Sequence, residues 1–216
     1  MSKAVVCPTI TATNKDEYQR QLKVLKRFAT RIHLDISDGT LAHRELLGLG
    51  SMRWPKKIQA DVHAMSRHPH AELAIACELK PQLVILHAEA ETDLVAAAKE
   101  LKARHIKAGL ALLPESSVHH YAELIRDYFD HVLIFSGNLG YQGGSSADLG
   151  LLPKVHELRQ LKPTLEIGWD GGINEHNAAQ LVKAGVDVLN VGSYIARAKS
   201  PKAAYAKLEE VIKSIS

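Results

Sequence analysis

Cysteine is scarce: Cys7 and Cys77 each sit in apolar surroundings, with no CxxC pair and no third partner. This leaves no framework for disulfide stapling and fits buried, reduced thiols in a reducing compartment. No stretch approaches the ~18 consecutive apolar residues of a membrane-spanning helix. The opening MSKAVVCPTI has a single lysine and no long apolar core or cleavage-like segment, so no signal peptide is expected. An excess of one charge is missing too. Twenty-seven basic residues against 24 acidic ones leave +3, too little and too dispersed to argue for nucleic acid or an anionic membrane as partner. Linkers and low-complexity segments are lacking, and no GxGxxG follows the first apolar run. The expectation is one cytoplasmic domain spanning residues 1–216.

The pattern that is present is a short apolar run followed by an amphipathic stretch, repeated to the end. AVVCPTI, RIHLDI, KIQADVH, QLVILHA, KAGLALL, HVLIFS, TLEIGWD and VDVLNVG read as strands. Between them lie helical stretches: DEYQRQLKVLKRFA, HPHAELAIACELK, ETDLVAAAKELKAR, SSVHHYAELIRDYF, SADLGLLPKVHELRQL and NEHNAAQLVKAG. SPKAAYAKLEEVIKSI closes the series, with Ser200 as N-cap and Pro201 at the first helical position. Strands apolar throughout are buried on both faces, as in parallel sheets. Eight units of about 27 residues each predict a single α/β domain, a (β/α)8 TIM barrel. Residues 38–56 form the one long irregular stretch and read as a βα loop.

Histidine is plentiful, and two histidines and two aspartates stand where strands end: His33 and Asp35, His63, and Asp170. Strand tips line the catalytic face of such a barrel. His33 and Asp35 are two apart, so their side chains share a side. Two imidazoles and two carboxylates suit one divalent metal ion, Zn2+, Fe2+, Mn2+ or Co2+, rather than calcium. Glycine-rich segments follow strands six to eight: SGNLGYQGGSS, DGGIN and NVGS. Glycines let backbone N–H groups approach an anion, and phosphate sites in these barrels come from the loops after strands seven and eight. Gly143, Gly144, Gly171, Gly172, Gly192 and Ser193 are the candidate phosphate cradle. Thr9 could present a hydroxyl to substrate, and His87 with Glu89 could act directly or support a metal ligand.

In their order along the chain, HLDISDG, DVHAM, LHAEA, GLALLPESS, LIFSGNLGYQGG, WDGGIN and VGS resemble the ribulose-phosphate 3-epimerases, over nearly the whole chain. The resemblance implies a (β/α)8 barrel whose metal is held by His33, Asp35, His63 and Asp170. It also implies Thr9 after Pro8, Met65 beside the substrate, and the three glycine loops on the phosphate. Departures are confined to a few places. Ser37 stands where the family has methionine, TLAHR (residues 40–44) replaces a segment close to HFVPN, and Phe135–Gly144 replaces one near MTVNPGFGGQ, with Leu139 for its proline.

The implied chemistry is epimerisation at C3 of a phosphorylated ketose, most simply D-ribulose 5-phosphate to D-xylulose 5-phosphate. A metal would stabilise an enediolate, while Asp35 and Asp170, from opposite sides of the barrel, take and return the proton. Ser37 and the altered loop at residues 40–44 motivate a hexulose 6-phosphate such as allulose 6-phosphate as the alternative substrate. Decarboxylase relatives carry Asp-x-Lys-x-x-Asp, whereas Asp35-Ile36-Ser37-Asp38 has no lysine. A non-catalytic sugar-phosphate-binding protein is the remaining alternative. Such barrels commonly pair, so a homo-oligomer is expected, with Trp54 or Tyr194 as candidate contacts.

Overall fold

A computed structural model describes residues 4–215. Eight parallel strands close into a barrel in sequence order: β1 (Val5–Thr11), β2 (Arg31–Ile36), β3 (Gln59–Ala64), β4 (Leu83–His87), β5 (Lys107–Leu112), β6 (His131–Phe135), β7 (Glu166–Asp170) and β8 (Val188–Val191). The β1–β8 pairing, with Cys7 opposite Asn190, completes the ring. Around it run α1 (Lys15–Leu25), α2 (His70–Leu79), α3 (Leu94–Ala103), α4 (Ala122–Tyr128), α5 (Leu152–Leu161), α6 (Ala178–Ala184), α7 (Ser193–Ala196) and α8 (Pro201–Lys213). The (β/α)8 barrel expected from the alternation is the observed fold. Every residue of β2, β4, β6 and β8 is buried, as strands covered on both faces must be.

Local signals explain the element boundaries. Asn14 caps α1 by accepting from the Glu17 N–H at 2.9 Å, and the Glu17 carboxylate accepts from the Thr13 N–H at 2.9 Å. Ser200 caps α8, with Pro201 in its first turn. The helix expected over 174–185 starts only at Ala178, because the Asn177 side chain accepts from the Asn174 N–H at 2.9 Å and holds residues 174–177 in a turn. The stretches expected as helices over 116–129 and 146–161 each open with a 3-10 turn, His119–Tyr121 and Leu149–Leu151, before α4 and α5. α7 is too short for periodicity to reveal. Trp54 and Tyr194 pack half-buried against the main core. Among the described residues, no helix is long and apolar enough to cross a membrane.

The lumen has two unlike walls. Leu83 and Ile85 of β4, Ala111 of β5 and Leu133 of β6 form an apolar cluster of their own. Opposite them, at the N-terminal ends of the strands, Arg31 sits in a ring of acceptors. Its Nε donates to Asp61 Oδ2 at 2.7 Å, and its two terminal nitrogens grip both Glu166 oxygens at 2.9 and 2.8 Å. His131 Nδ1 lies 2.9 Å from Glu166 Oε2. The bidentate fork is the geometry that guanidinium and carboxylate share.

Burial alone would raise the Glu166 carboxyl, but the hydrogen bonds from Arg31 and His131 outweigh it and hold it well below the usual range. A depressed carboxylate contributes stability above its unfolded value near 4.5, and that contribution is lost as pH falls. Arg31→Met leaves Asp61 and Glu166 without their cation and should cost about 3–5 kcal/mol in urea unfolding at neutral pH. The same variant should flatten the loss of stability between about pH 5 and pH 3. A midpoint unchanged from the parent protein would show the network to be energetically idle.

Candidate active site

Three strand tips bring the metal-type residues together at the C-terminal mouth. His33 and Asp35 of β2 face inward by alternation, and the register sets Asp35 beside His63 of β3 and Thr11 of β1 beside Asp35. One ligand atom from each of His33, Asp35, His63 and Asp170 falls within 4.8 Å of every other. His63 Nδ1 is 3.2 Å from Asp35 Oδ1. His33 Nε2 is 3.4 Å from the same oxygen and 3.6 Å from Asp170 Oδ2. Asp35 and Asp170 come from β2 and β7, which are three strand steps apart around the ring rather than opposite one another.

His33 is fully buried, yet neither of its nitrogens has a hydrogen-bond partner. Buried polar atoms are nearly always satisfied, so a bare imidazole nitrogen facing two carboxylates has the arrangement a cation would complete. Two nitrogen and two carboxylate donors also fit a divalent transition metal by type. The four residues could hold such an ion.

The two carboxylates differ in their surroundings. Burial would raise Asp35, but the close imidazoles of His33 and His63 outweigh it and hold it well below its ordinary range. Thr11 Oγ1 also donates to Asp35 Oδ2 at 2.6 Å. Asp170 is pushed up to about 7, first by burial and then by the Asp35 charge. Burial would lower His33, and the neighbouring carboxylates raise it instead. His63 is brought down to about 3, chiefly by burial.

Several neighbours of the cluster were not legible from the sequence. Thr11, not Thr9, is the hydroxyl on Asp35, because β1 runs on past Pro8. Period-two alternation from Thr9 would have indicated it. Thr9 itself borders the cavity with its hydroxyl unpartnered. Asn190 also borders the cavity, and its side-chain amide has no partner; an asparagine in the otherwise apolar VLNV was the available signal. Phe135 packs on the rings of His63 and His87, with centroids 5.7 and 6.2 Å away. Met65 is buried and borders the same cavity.

The glycine loops converge beside the cluster. Gly143, Gly171, Gly172, Gly192 and Ser193 all border the cavity. Gly171 and Gly172 have φ of +114° and +68°, and a Cβ on them would meet Ser136 C at 2.4 Å and Ala147 N at 2.0 Å. Glycine is the residue that both positions can accommodate. A Cβ on Gly143 would meet Ser193 Cβ at 2.8 Å, so the loops after β6 and β8 touch. Gly144 is a correction to the expected cradle: it is exposed, it does not border the cavity, and nothing lies within 4 Å of where its Cβ would be. Gln142, which the sequence reading did not single out, borders the cavity beside Gly143. Its Nε2 donates to Thr9 O at 3.1 Å, and its own carbonyl accepts from Arg197 Nη2 at 2.9 Å.

Ser37 and residues 40–44 do not border the cavity either. Ser37 Oγ donates to Met65 O at 3.2 Å and accepts from the Gly39 N–H at 3.0 Å. Ala42 packs with Leu46, Met65 and Leu139 in a small apolar cluster. Those substitutions shape the support of the mouth instead of its lining.

Comparison with known proteins identifies the family. The model of the ribulose-phosphate 3-epimerase family matches residues 5–196. The ribulose-phosphate 3-epimerase of Helicobacter pylori is 29% identical, covering 98% of this chain and 99% of that protein. The enzyme of the same name from Mycobacterium bovis is 30% identical over 82% of this chain and 80% of its own. Among solved structures, 3-hexulose-6-phosphate synthase from Salmonella typhimurium matches with a TM-score of 0.73 over 100% of both chains, and its 16% identity makes that a likeness of fold alone. A family match across most of the chain settles the assignment: this protein belongs to the ribulose-phosphate 3-epimerase family and is an isomerase of the epimerase type.

Proposed function

We propose that the protein interconverts D-ribulose 5-phosphate and D-xylulose 5-phosphate by inverting C3, with a divalent metal ion held by His33, Asp35, His63 and Asp170. The observation that carries this reading is the meeting of two carboxylates from separate strands with two buried imidazoles, one of them unpartnered. A proton on the carbon beside a ketone is weakly acidic, and its removal leaves an enediolate. A divalent ion bound here would supply Lewis-acid stabilisation for the negative charge that develops on the oxygens.

The chain's own residues supply the proton chemistry. Inversion needs one group to take the proton from one face and another to return a proton to the opposite face. Asp35 on β2 and Asp170 on β7 are the two acid/base groups, and the two directions of the reaction exchange their roles. Thr11 fixes one oxygen of Asp35 and leaves the other toward the cluster. Thr9, Met65 and Asn190 border the cavity that both aspartates line. Gly143, Gly171, Gly172, Gly192 and Ser193 hold the phosphate through their backbone, and this remote grip places C3 between the carboxylates. Because residues 40–44 stand off the cavity, their departure from the family motif gives no reason to favour a longer sugar.

Asp35→Asn and Asp170→Asn should each lower turnover of ribulose 5-phosphate by about 10²–10⁴-fold while the fold is retained. Turnover in deuterated water should place deuterium at C3 of the product. Stripping the protein with a chelator should abolish activity, and zinc, iron(II), manganese or cobalt should restore it. Ribulose 5-phosphate and allulose 6-phosphate assayed side by side decide the substrate. Activity confined to the hexulose would move the assignment to that sugar. Saturable binding without turnover on either, in metal-loaded protein, would sink the catalytic reading altogether.

A further inference from the structure

A line of hydrogen-bonding groups leads away from the cluster, through the end of β4 and the loop after it, to the loop after β5. His63 Nε2 lies 2.8 Å from Nε2 of His87, the last residue of β4. His87 Nδ1 lies 3.3 Å from Glu89 Oε2, and the other Glu89 oxygen accepts from Ser116 Oγ. Both imidazoles are fully buried, with their planes 25° apart. The far end is anchored as well. The Lys154 ammonium donates to the carbonyls of Leu113, Pro114 and Ser116 at 2.7, 2.8 and 2.8 Å, pinning the loop that carries Ser116.

The direction of this line follows from donor and acceptor counting. An ionised carboxylate only accepts, so His87 must offer Glu89 its Nδ1–H. A neutral imidazole has one donor and one acceptor, so Nε2 of His87 is then the acceptor. His63 must therefore donate from Nε2, which leaves a lone pair on its Nδ1. That lone pair faces Asp35 Oδ1 across 3.2 Å. Two acceptors so placed need a cation between them, a proton or a metal ion.

We propose that Glu89 and His87 are positioning residues that fix the tautomer of His63, so that Nδ1 is presented to the four-residue cluster as a metal ligand. This rests on the metal reading of that cluster and adds the two residues that prepare one of its ligands. Neither Glu89 nor His87 borders the cavity. They act through His63, as groups behind a metal-bound imidazole generally do.

Nitrogen NMR of protein labelled with 15N-histidine and loaded with zinc reads the tautomers directly. The expected result is His63 with its proton on Nε2 and a metal-shifted Nδ1, and His87 with its proton on Nδ1. Zinc on His63 Nε2, or the proton of His87 on Nε2, would overturn the inference. Glu89→Leu should weaken zinc binding by about 10–100-fold, a typical loss for such a supporting group. Glu89→Gln, which keeps the shape and an acceptor oxygen, should recover most of that loss, so a folding defect in the first variant does not decide the matter. Unchanged zinc affinity in both variants would count against the inference. If zinc does not bind the parent protein at all, the metal reading falls. The tautomer is then read in metal-free protein, where a His87 proton on Nδ1 sustains the positioning of His63 by Glu89 and His87 without the metal, and one on Nε2 overturns that as well.

Discussion

In a closed barrel of parallel strands, an inward side chain is followed two residues later by another inward side chain, one layer nearer the mouth. The organisation of this protein rests on that constraint. On β2 it commits Arg31, His33 and Asp35 to the lumen together, from base to mouth. On β3 it does the same for Asp61 and His63, which the register sets beside His33 and Asp35. A strand that carries a charged group at its tip for chemistry therefore carries lumen-facing groups beneath it, and those must be satisfied in a space water scarcely reaches. Arg31 meets that demand at the base by binding Asp61 and Glu166 at once. The apolar wall of Leu83, Ile85, Ala111 and Leu133 makes no such demand, and on β4 the first polar residue comes only at His87.

This constraint also explains how much of the protein could be read from the chain. Strand tips were legible where a polar residue closes an apolar run, as at His63 and Asp170, and period-two spacing put His33 and Asp35 on one side without further information. The eight repeats then sufficed for the barrel. Partners across the lumen were not legible, because nothing near Arg31 in sequence points to Glu166, 135 residues away. Thr11 was overlooked for a different reason: the expected strand AVVCPTI stops at Ile10, whereas β1 runs one residue further to Thr11. Loop paths were the least legible of all. Gly143 and Gly144 look equivalent in the sequence, yet one touches Ser193 and the other faces open space.

The departures from the family pattern divide along the same line. Ser37 and residues 40–44 lie in the loop that supports the mouth, where hydrogen bonds to Met65 and Gly39 and a small apolar cluster preserve its course. Gln142 is different, since it borders the cavity and ties the loop after β6 to the backbone of β1. The first group alters what stands behind the site, and Gln142 alters the edge of the site itself. The two kinds of change occupy separate loops, so the mouth can tolerate both while the four-residue cluster keeps its geometry.

The sequential order of the strands has a consequence for how the protein is made. His33, Asp35 and His63 all emerge from the ribosome within the first third of the chain, but Asp170 arrives with β7, and the ring closes only when β8 pairs with β1. A nascent chain therefore carries three of the four clustered residues through about half of its synthesis, beside an open sheet edge on β1. Contacts between strands so distant in sequence form slowly, since the intervening chain must be ordered first. Closure of the barrel and completion of the four-residue cluster are thus nearly the same event, and an assembled cluster becomes a late marker of a finished fold.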